Sequence, residues 1–280
     1  MRLESLEEIQ SVLKLGASAS VTEVALEGDG ATFPMDIFKF KNLTYLSLED
    51  FYLFEIPSQI GELKKIKTLL LNNNAISKLP QELDCLKNLS KLSLEDNFLR
   101  QFPIGIVNLT KLKYLYLYGN QIKTIPNEIG NLKALINLGL DKNNLTEIPK
   151  GIGGLESLKV FTAKSNNLHQ ISNEIGKLTK LERFNLSENS LTEIPKGIGD
   201  LENLIILRLT NNHLKELPSE IEYLKKLAYL HIENNLLKDF PYQLCNVKSL
   251  KQIYLQGNKL SESDIPSEIN TLPSLIVCRV

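Results

Sequence analysis

Residues 112–132 read LKYLYLYGNQIKTIPNEIGNL, and this stretch carries the pattern that decides the fold. The pattern can be written LxxLxLxxNxLxxIPxxIxxLxx, and it returns every 23 residues, as at Leu89, Leu112 and Leu135. Nine such units fill residues 43–249. Self-similarity at a fixed period of this size predicts a chain built from stacked copies of one small unit.

The two ends of the chain depart from this pattern. Residues 21–42 form an irregular unit that is one residue short, and residues 250–274 form a unit with a longer loop. Residues 275–280 supply only a terminal strand, and residues 1–20 contain no repeat. These segments together predict one domain over residues 1–280, with residues 1–20 as an N-terminal cap.

The cap is predicted to contain a helix over residues 3–14. Apolar residues recur there near the helical period, which gives one apolar face for covering the end of the stack. Ser5 followed by Glu8 fits a capping box at the start of the helix. The residues of the apolar face are Leu3, Leu6, Ile9 and Leu13.

The LxxLxL part of each unit predicts a short strand with one apolar face, because its leucines alternate with variable residues. One strand cannot bury such a face alone, so neighbouring units must stack. Strands stack about 4.8 Å apart, and a wider return segment on the other side forces a curve. The pattern therefore predicts a parallel sheet on the concave side.

An asparagine follows the strand at one fixed position. The chain must turn there inside the stack, where an inward side-chain amide can satisfy backbone groups that water does not reach. Phe51 interrupts this column and Asp29 only half-keeps it. The column consists of Asn74, Asn97, Asn120, Asn143, Asn166, Asn189, Asn212, Asn235 and Asn258.

A proline recurs on the return segment, and it favours a short extended or 3₁₀ arm over an α-helix because it fixes φ and lacks an N–H. Ser172 replaces it in one unit, which also has Phe161 and Ala163 where leucines are usual. A larger and a smaller residue in one layer conserve volume, so local repacking is the main interpretation. A hinge at this unit is the alternative.

These residues resemble the leucine-rich repeat family. The IPxxIGxL half of the unit resembles the 23-residue subclass of bacterial and plant Ras-group proteins, and spirochaete leucine-rich repeat proteins are similar in style. The resemblance covers about residues 21–280. It implies an α/β solenoid of horseshoe form, with the sheet on the concave face and 3₁₀ or extended segments on the convex face. It also implies a role as a scaffold or recognition module.

Composition argues against several other functions. Lys+Arg 32 against Asp+Glu 33 leaves a net charge of −1, which gives no bulk attraction to nucleic acid. No apolar run reaches the length of a membrane helix, so no membrane insertion is expected. The three histidines and three cysteines show no metal-ligand spacing and no nucleophile set. We therefore expect no enzyme, no cofactor and no metal site.

The variable strand positions three, five and seven of each unit point away from the core, and they hold six of the nine tyrosines. Tyr suits strands, but it is also well suited to binding because it combines a large area with a polar tip. Both interpretations remain open. The predicted partner-binding residues are Tyr45, Tyr114, Tyr116, Tyr118, Arg183, Ile206, Arg208, Tyr229, His231 and Tyr254. Seven of them are predicted to form two patches, Tyr114/Tyr116/Tyr118 and Arg208/Tyr229/His231/Tyr254.

Charge is unevenly distributed along these positions. Acidic residues dominate the earlier repeats, and the later repeats offer Arg183, Arg208, His231 and Arg279. Such a gradient can orient a partner and raise its association rate. The alternative is that these charges lie on a solvated face and have no role in binding. The acidic residues are Glu23, Glu27, Glu49, Asp50, Glu95 and Asp96.

The sequence thus predicts a non-enzymatic module that binds a protein ligand with its concave face, as an exported bacterial protein that engages host proteins. The alternatives are an intracellular scaffold and the recognition domain of a larger effector enzyme. Localisation is open: secreted or at the cell surface if a leader has been removed, otherwise cytoplasmic. The last strand has a bare edge, so the chain is expected to be a monomer or an edge-strand dimer.

Overall fold

The computed structural model describes residues 1–28 and 32–279. Contacts divide the chain into two compact units, the N-terminal unit Met1–Lys123 and the C-terminal unit Thr124–Val280. That the whole chain is a single domain stays a prediction. Asp29, Val280 and the side chain of Arg279 lie outside the described part of the chain.

The N-terminal unit has one helix, α1 (Leu6–Lys14), and one parallel sheet. Spatial order in this sheet follows chain order, and equivalent repeat positions face each other, so that Lys91 lies beside Tyr114. The strands are β1 (Arg2–Leu3), β2 (Glu23–Glu27), β3 (Tyr45–Glu49), β4 (Thr68–Leu70), β5 (Lys91–Ser93) and β6 (Tyr114–Tyr116).

The start of the predicted cap differs from the expectation. Leu3 belongs to β1, which pairs with β2, and is not part of the helix. Ile9 is buried as predicted, but Leu6 is about half exposed and Leu13 is half-buried, and the helix buries Val12 in addition. Ser5 is the N-cap and its Oγ accepts the Glu8 N–H at 3.1 Å. The Glu8 carboxylate accepts the N–H of Glu4 at 2.7 Å, one residue before the position that a capping box requires.

The C-terminal unit is built in the same way. A seven-stranded parallel sheet again follows chain order, and two further short strands pair on a separate ladder. The main sheet contains β7 (Asn137–Gly139), β9 (Val160–Thr162), β11 (Arg183–Asn185), β12 (Ile206–Arg208), β13 (Tyr229–His231), β14 (Gln252–Tyr254) and β15 (Val277–Arg279). The separate ladder contains β8 (Glu147–Ile148) and β10 (Gln170–Ile171).

Each return segment contains a 3₁₀ turn, as predicted, and the turn begins after the recurring proline or, in one repeat, after Ser172. The fixed φ of proline suits the residue before the turn, and Pro149 has φ −76°. The repeat segments are Met35–Lys39, Ser58–Glu62, Gln81–Cys85, Ile104–Asn108, Asn127–Asn131, Lys150–Gly154, Asn173–Lys177, Lys196–Asp200, Ser219–Tyr223, Tyr242–Asn246 and Ser267–Thr271. Ser18–Ser20 and Glu262–Asp264 are additional short 3₁₀ turns. The predicted leucine-rich repeat fold is confirmed.

Successive 3₁₀ segments pack so closely that some positions admit only glycine. A Cβ at Gly151 would lie 2.0 Å from the carbonyl oxygen of Asn127 in the preceding repeat. A Cβ at Gly199 would lie 2.5 Å from the carbonyl oxygen of Glu220 in the next one. The recurring glycines therefore set the spacing of the return side.

The core lies between the sheet and the 3₁₀ segments. Leucines of the strands and the Ile or Leu of each 3₁₀ segment are almost completely buried, as for Leu207 and Ile198. Burial of a side chain of this size stabilises the fold by about 1.5–3 kcal/mol relative to exposure. Each repeat contributes the same set, so the core is continuous along each unit.

The asparagine column lies inside the stack. The Oδ1 of Asn189 accepts the Leu168 N–H at 2.9 Å in the preceding repeat. Its Nδ2 donates to the carbonyl oxygens of Ala163 at 3.0 Å and Leu186 at 3.0 Å. Asn74 accepts both the Phe51 N–H and the Leu53 N–H of the preceding repeat, where Phe51 takes the position of the asparagine. In the described part of the chain, no buried side-chain polar atom lacks a hydrogen-bond partner.

The atypical repeat, which contains Phe161, Ala163 and Ser172, has a closely packed core layer. Phe161 is fully buried and stacks on Phe184 at a centroid distance of 5.3 Å, beside the buried Ala163. The Oγ of Ser172 accepts the N–H of Glu174 at the start of its 3₁₀ segment, and β8 and β10 pair just before it. These contacts are those of local repacking.

Candidate functional site

Alternation along each strand separates two kinds of side chain. On β12, Leu207 is fully buried, Arg208 is exposed and Ile206 is half-buried. We call the outward side of strand positions three, five and seven the sheet face of each unit. All ten predicted partner-binding residues lie on this face, where none is fully buried.

In the N-terminal unit the sheet face carries a tyrosine patch, formed by Tyr114, Tyr116 and Tyr118. Tyr114 is 37% exposed and the other two are half-buried. The Lys91 ammonium lies over the Tyr116 ring, 5.7 Å from its centroid, a cation–π contact. Burial, followed by the nearby charge of Glu95, raises the pKa of Tyr116. The Tyr116 phenol therefore stays neutral and can donate a hydrogen bond to a ligand.

Tyr45 does not join this patch. It lies on β3, with β4 and β5 between it and the tyrosine patch. The guanidinium of Arg2 lies over its ring at 5.9 Å from the centroid. Tyr45 therefore packs near the capped end of the sheet.

In the C-terminal unit the remaining predicted residues form one group, the arginine patch: Arg183, Ile206, Arg208, Tyr229, His231 and Tyr254. Arg183, Ile206 and Tyr229 occupy equivalent positions on neighbouring strands. Arg208, His231 and Tyr254 form the next row. The sequence predicted Arg208, Tyr229, His231 and Tyr254 as one patch, and the strand register adds Arg183 and Ile206 to it.

Part of the arginine patch is held in place by internal contacts. The His231 ring stacks on Tyr254 at a centroid distance of 4.7 Å and an interplanar angle of 13°. Its Nδ1 lies 3.4 Å from a Glu233 carboxylate oxygen, and Glu233 also accepts the Thr210 hydroxyl at 2.7 Å. The Tyr254 hydroxyl donates to Gln252 at 3.1 Å. One edge of the patch is therefore ordered before any ligand binds.

The two arginines differ from those lysines of this unit that pair with a carboxylate. Lys159 lies 2.8 Å from the Glu182 carboxylate and Lys164 lies 3.1 Å from the Glu188 carboxylate. Arg183 and Arg208 are exposed, and neither makes an ion pair within the residues that the structure describes. Their charge is thus available to a ligand.

Sequence reasoning missed an exposed apolar group on the N-terminal unit. Tyr52 and Phe98 occupy the position after the asparagine column and are 63% and 52% exposed, and Phe54 is 67% exposed. Of these three residues, Phe54 lines a cavity of about 510 Å³, together with Phe33, Met35, Pro57, Thr32 and Glu55. Corresponding positions of later repeats hold mostly polar residues, such as Asn144 and Asn167, so the contrast is visible in the sequence.

Groups suited to catalysis or metal binding are scarce. The described residues contain no cluster of His, Cys, Asp and Glu side chains that could hold a metal ion. Cys85 and Cys245 are free thiols, and burial raises the pKa of Cys245, which disfavours its nucleophilic thiolate. No described helix is long and apolar enough to cross a membrane.

Comparison with known families gives a match to the model described as a leucine-rich repeat region. It matches residues 104–187 and 169–280, which together exceed half of the chain. Comparison with curated proteins gives no match.

Solved structures give close matches. A leucine-rich repeat protein of Leptospira interrogans is 34% identical, with a TM-score of 0.90, and the match covers 99% of this chain and 71% of that one. The plant peptide hormone receptor RGFR1, solved in complex with RGF2, is 28% identical, with a TM-score of 0.81. That match covers 99% of this chain and 45% of the receptor chain. The internalin InlF of Listeria monocytogenes shares the fold at 23% identity, with a TM-score of 0.76. The match covers 97% of this chain and 86% of the internalin chain.

Proposed function

This chain belongs to the leucine-rich repeat family, and we propose that it is a non-enzymatic module that recognises a protein partner with its sheet face. The observation that carries this proposal is the composition of that face. Partly exposed tyrosines and unpaired arginines cluster there, and these residue types dominate the energetics of protein interfaces. The interior positions of the same strands hold leucines that serve packing alone.

Similarity to receptors supports a peptide or protein ligand. The RGFR1 structure is described as a peptide hormone receptor bound to RGF2, and its relation to this chain extends over nearly the whole sequence. The face offers large aromatic surfaces and fixed hydrogen-bonding groups, which suit an extended peptide or a protein loop. Catalysis forms no part of this function.

A finer proposal concerns where the partner is found. We propose an exported bacterial protein that engages host proteins, and the similarity to a leucine-rich repeat protein of Leptospira interrogans supports the bacterial part of this proposal. Protease treatment of intact cells tests this, because an exported protein is digested while a cytoplasmic marker survives. Protection from the protease would favour the intracellular scaffold instead.

The sheet face is tested by affinity capture from host and bacterial extracts. Tyr116→Ala combined with Arg208→Ala should abolish the capture of a specific protein. The matched control is Tyr223→Ala with Lys225→Ala, which removes an exposed tyrosine and an exposed cation in or just after the 3₁₀ segment Ser219–Tyr223. Capture that survives the sheet-face double variant, or that is lost equally in the control, contradicts the proposal.

A further inference from the structure

We propose that the arginine patch of the C-terminal unit binds an acidic, extended segment of its protein partner, with an apolar residue of that segment over Ile206. This inference rests on the proposed function and names the chemistry of the partner. Charge complementarity is the argument for it, because Arg183 and Arg208 are exposed and make no ion pair within the described residues.

The two guanidinium groups are placed to bind more than one carboxylate. Ile206 on β12 lies beside Arg183 on β11, and Arg208 lies two residues further along β12. The two arginines are therefore offset by one strand spacing of about 4.8 Å and by two residues, about 6.6 Å, along the strand. An acidic segment that crosses the strands can meet both groups, and each guanidinium can hold a carboxylate through two parallel hydrogen bonds.

The acidic groups nearby are already engaged. Glu233 accepts the Thr210 hydroxyl and lies beside His231. Glu182 and Glu188 pair with Lys159 and Lys164. An incoming carboxylate therefore meets two unneutralised arginines, while the neighbouring carboxylates have their own partners.

Apolar surface beside the arginines makes the site selective for protein rather than for charge alone. Ile206 and Tyr229 are half-buried neighbours in one row of the sheet face. A side chain that covers Ile206 removes water from the adjacent guanidinium groups and strengthens their hydrogen bonds. A uniformly charged polysaccharide or nucleic acid does not supply this apolar contact.

The experiment is panning of a phage-displayed random peptide library against the full chain. Enriched peptides are synthesised with a fluorescein label, and their binding is measured by anisotropy. We expect enrichment of aspartate or glutamate next to an apolar residue. Arg183→Ala and Arg208→Ala should each weaken binding by about tenfold, the loss of a charged hydrogen-bond partner, and Lys225→Ala should leave it unchanged. Replacing the acidic residues of the peptide with glutamine or asparagine should weaken binding to a similar extent.

The outcomes separate the two proposals. Enriched peptides without acidic residues that still depend on Tyr229 or Arg208 overturn this inference and leave the proposed function intact. If no substitution on the sheet face alters the binding of the enriched peptides, or if no peptide is enriched, the result counts against both this inference and the proposed function. Fluorescein-labelled heparin is the second probe. If it binds as tightly as the peptides, and if Arg183→Ala and Arg208→Ala weaken its binding equally, the inference is overturned in favour of an anionic polysaccharide. Thermal melts establish that each variant is folded, which exposed arginines permit.

Discussion

The two sides of each strand follow opposite rules, and β12 shows the contrast within three residues. Leu207 faces the core, and its position is a leucine in seven of the nine regular repeats, while Ile206 and Arg208 face solvent and differ from their neighbours. Stacking restricts the inner side because every repeat must fit the ones before and after it. The sheet face has no such restriction, so specificity for a ligand can reside there.

The largest expected effect comes from Leu207→Ala. Removing a fully buried leucine should lower the free energy of unfolding by about 2–5 kcal/mol, because it leaves a cavity in a close-packed core. Arg208→Ala, one residue later, should change it by less than about 0.5 kcal/mol. Urea denaturation of both variants measures the contrast. Equal losses would show that the two sides are not energetically distinct.

Asparagine provides a second matched pair on the two sides of one repeat. Asn189→Ala removes a side chain that bonds one backbone N–H and three carbonyl oxygens inside the stack. The stranded groups should cost about 1–3 kcal/mol of stability. Asn185→Ala, on the sheet face, loses a single contact to the Ser187 N–H and should cost clearly less. Denaturant melts in which the two variants agree would contradict the structural role of the column.

The atypical repeat sharpens the rule for the inner side. Ala163→Leu restores the usual residue but overpacks the layer beside the Phe161–Phe184 stack, and it should cost about 1–3 kcal/mol. Adding Phe161→Leu should recover most of that loss, because the total volume returns to the value of the other repeats. A double-mutant cycle measures the coupling. Additive effects would favour the hinge interpretation of this repeat.

The smallest effect concerns Asp141, a partly buried carboxylate on the sheet face. Burial raises its pKa, against the opposing effects of the Lys164 N–H and the Thr162 side chain. The folded state therefore binds the proton more tightly than the unfolded state, and the ionised carboxylate lowers stability above the folded pKa.

Asp141→Asn should raise the melting temperature at neutral pH. The gain should shrink as the pH falls through the folded pKa of Asp141, where the wild-type carboxyl becomes protonated. Melting curves across the acid range measure this, with Asp239→Asn as the exposed control. A gain that is independent of pH would assign the effect to packing rather than to charge.

The sequence predicted the repeats, the 3₁₀ return and the alternation of the strands because each depends on local spacing. It was less successful where two segments compete for one residue. Leu3 fits a helical face, yet it forms a strand because the edge of β2 offers backbone partners there. Helix α1 then buries Val12, which lay outside the predicted apolar face.

A second feature emerged only in the structure. The residue before each asparagine has a positive φ, at 54° for Asn73 and 48° for Lys142, which the repeat pattern did not reveal. Asn, Asp or Gly at most of these positions was the available signal, because these residues tolerate left-handed backbone best. Lys142 and Glu188 adopt the same conformation because the surrounding stack determines it.

The 23-residue period was enough to predict that this chain stacks repeats and which side of each strand faces solvent, because it leaves one way to bury every leucine. It was also enough to predict Arg208, Tyr229, His231 and Tyr254 as one patch. The contacts within that patch, and the place of Arg183 and Ile206 in it, became known from the structure. Register places Arg183 beside Ile206 and stacks His231 on Tyr254, although these pairs lie 23 residues apart in the chain. It also showed that the arginines lack internal partners in the described residues, since ion pairing depends on side-chain positions that spacing does not specify.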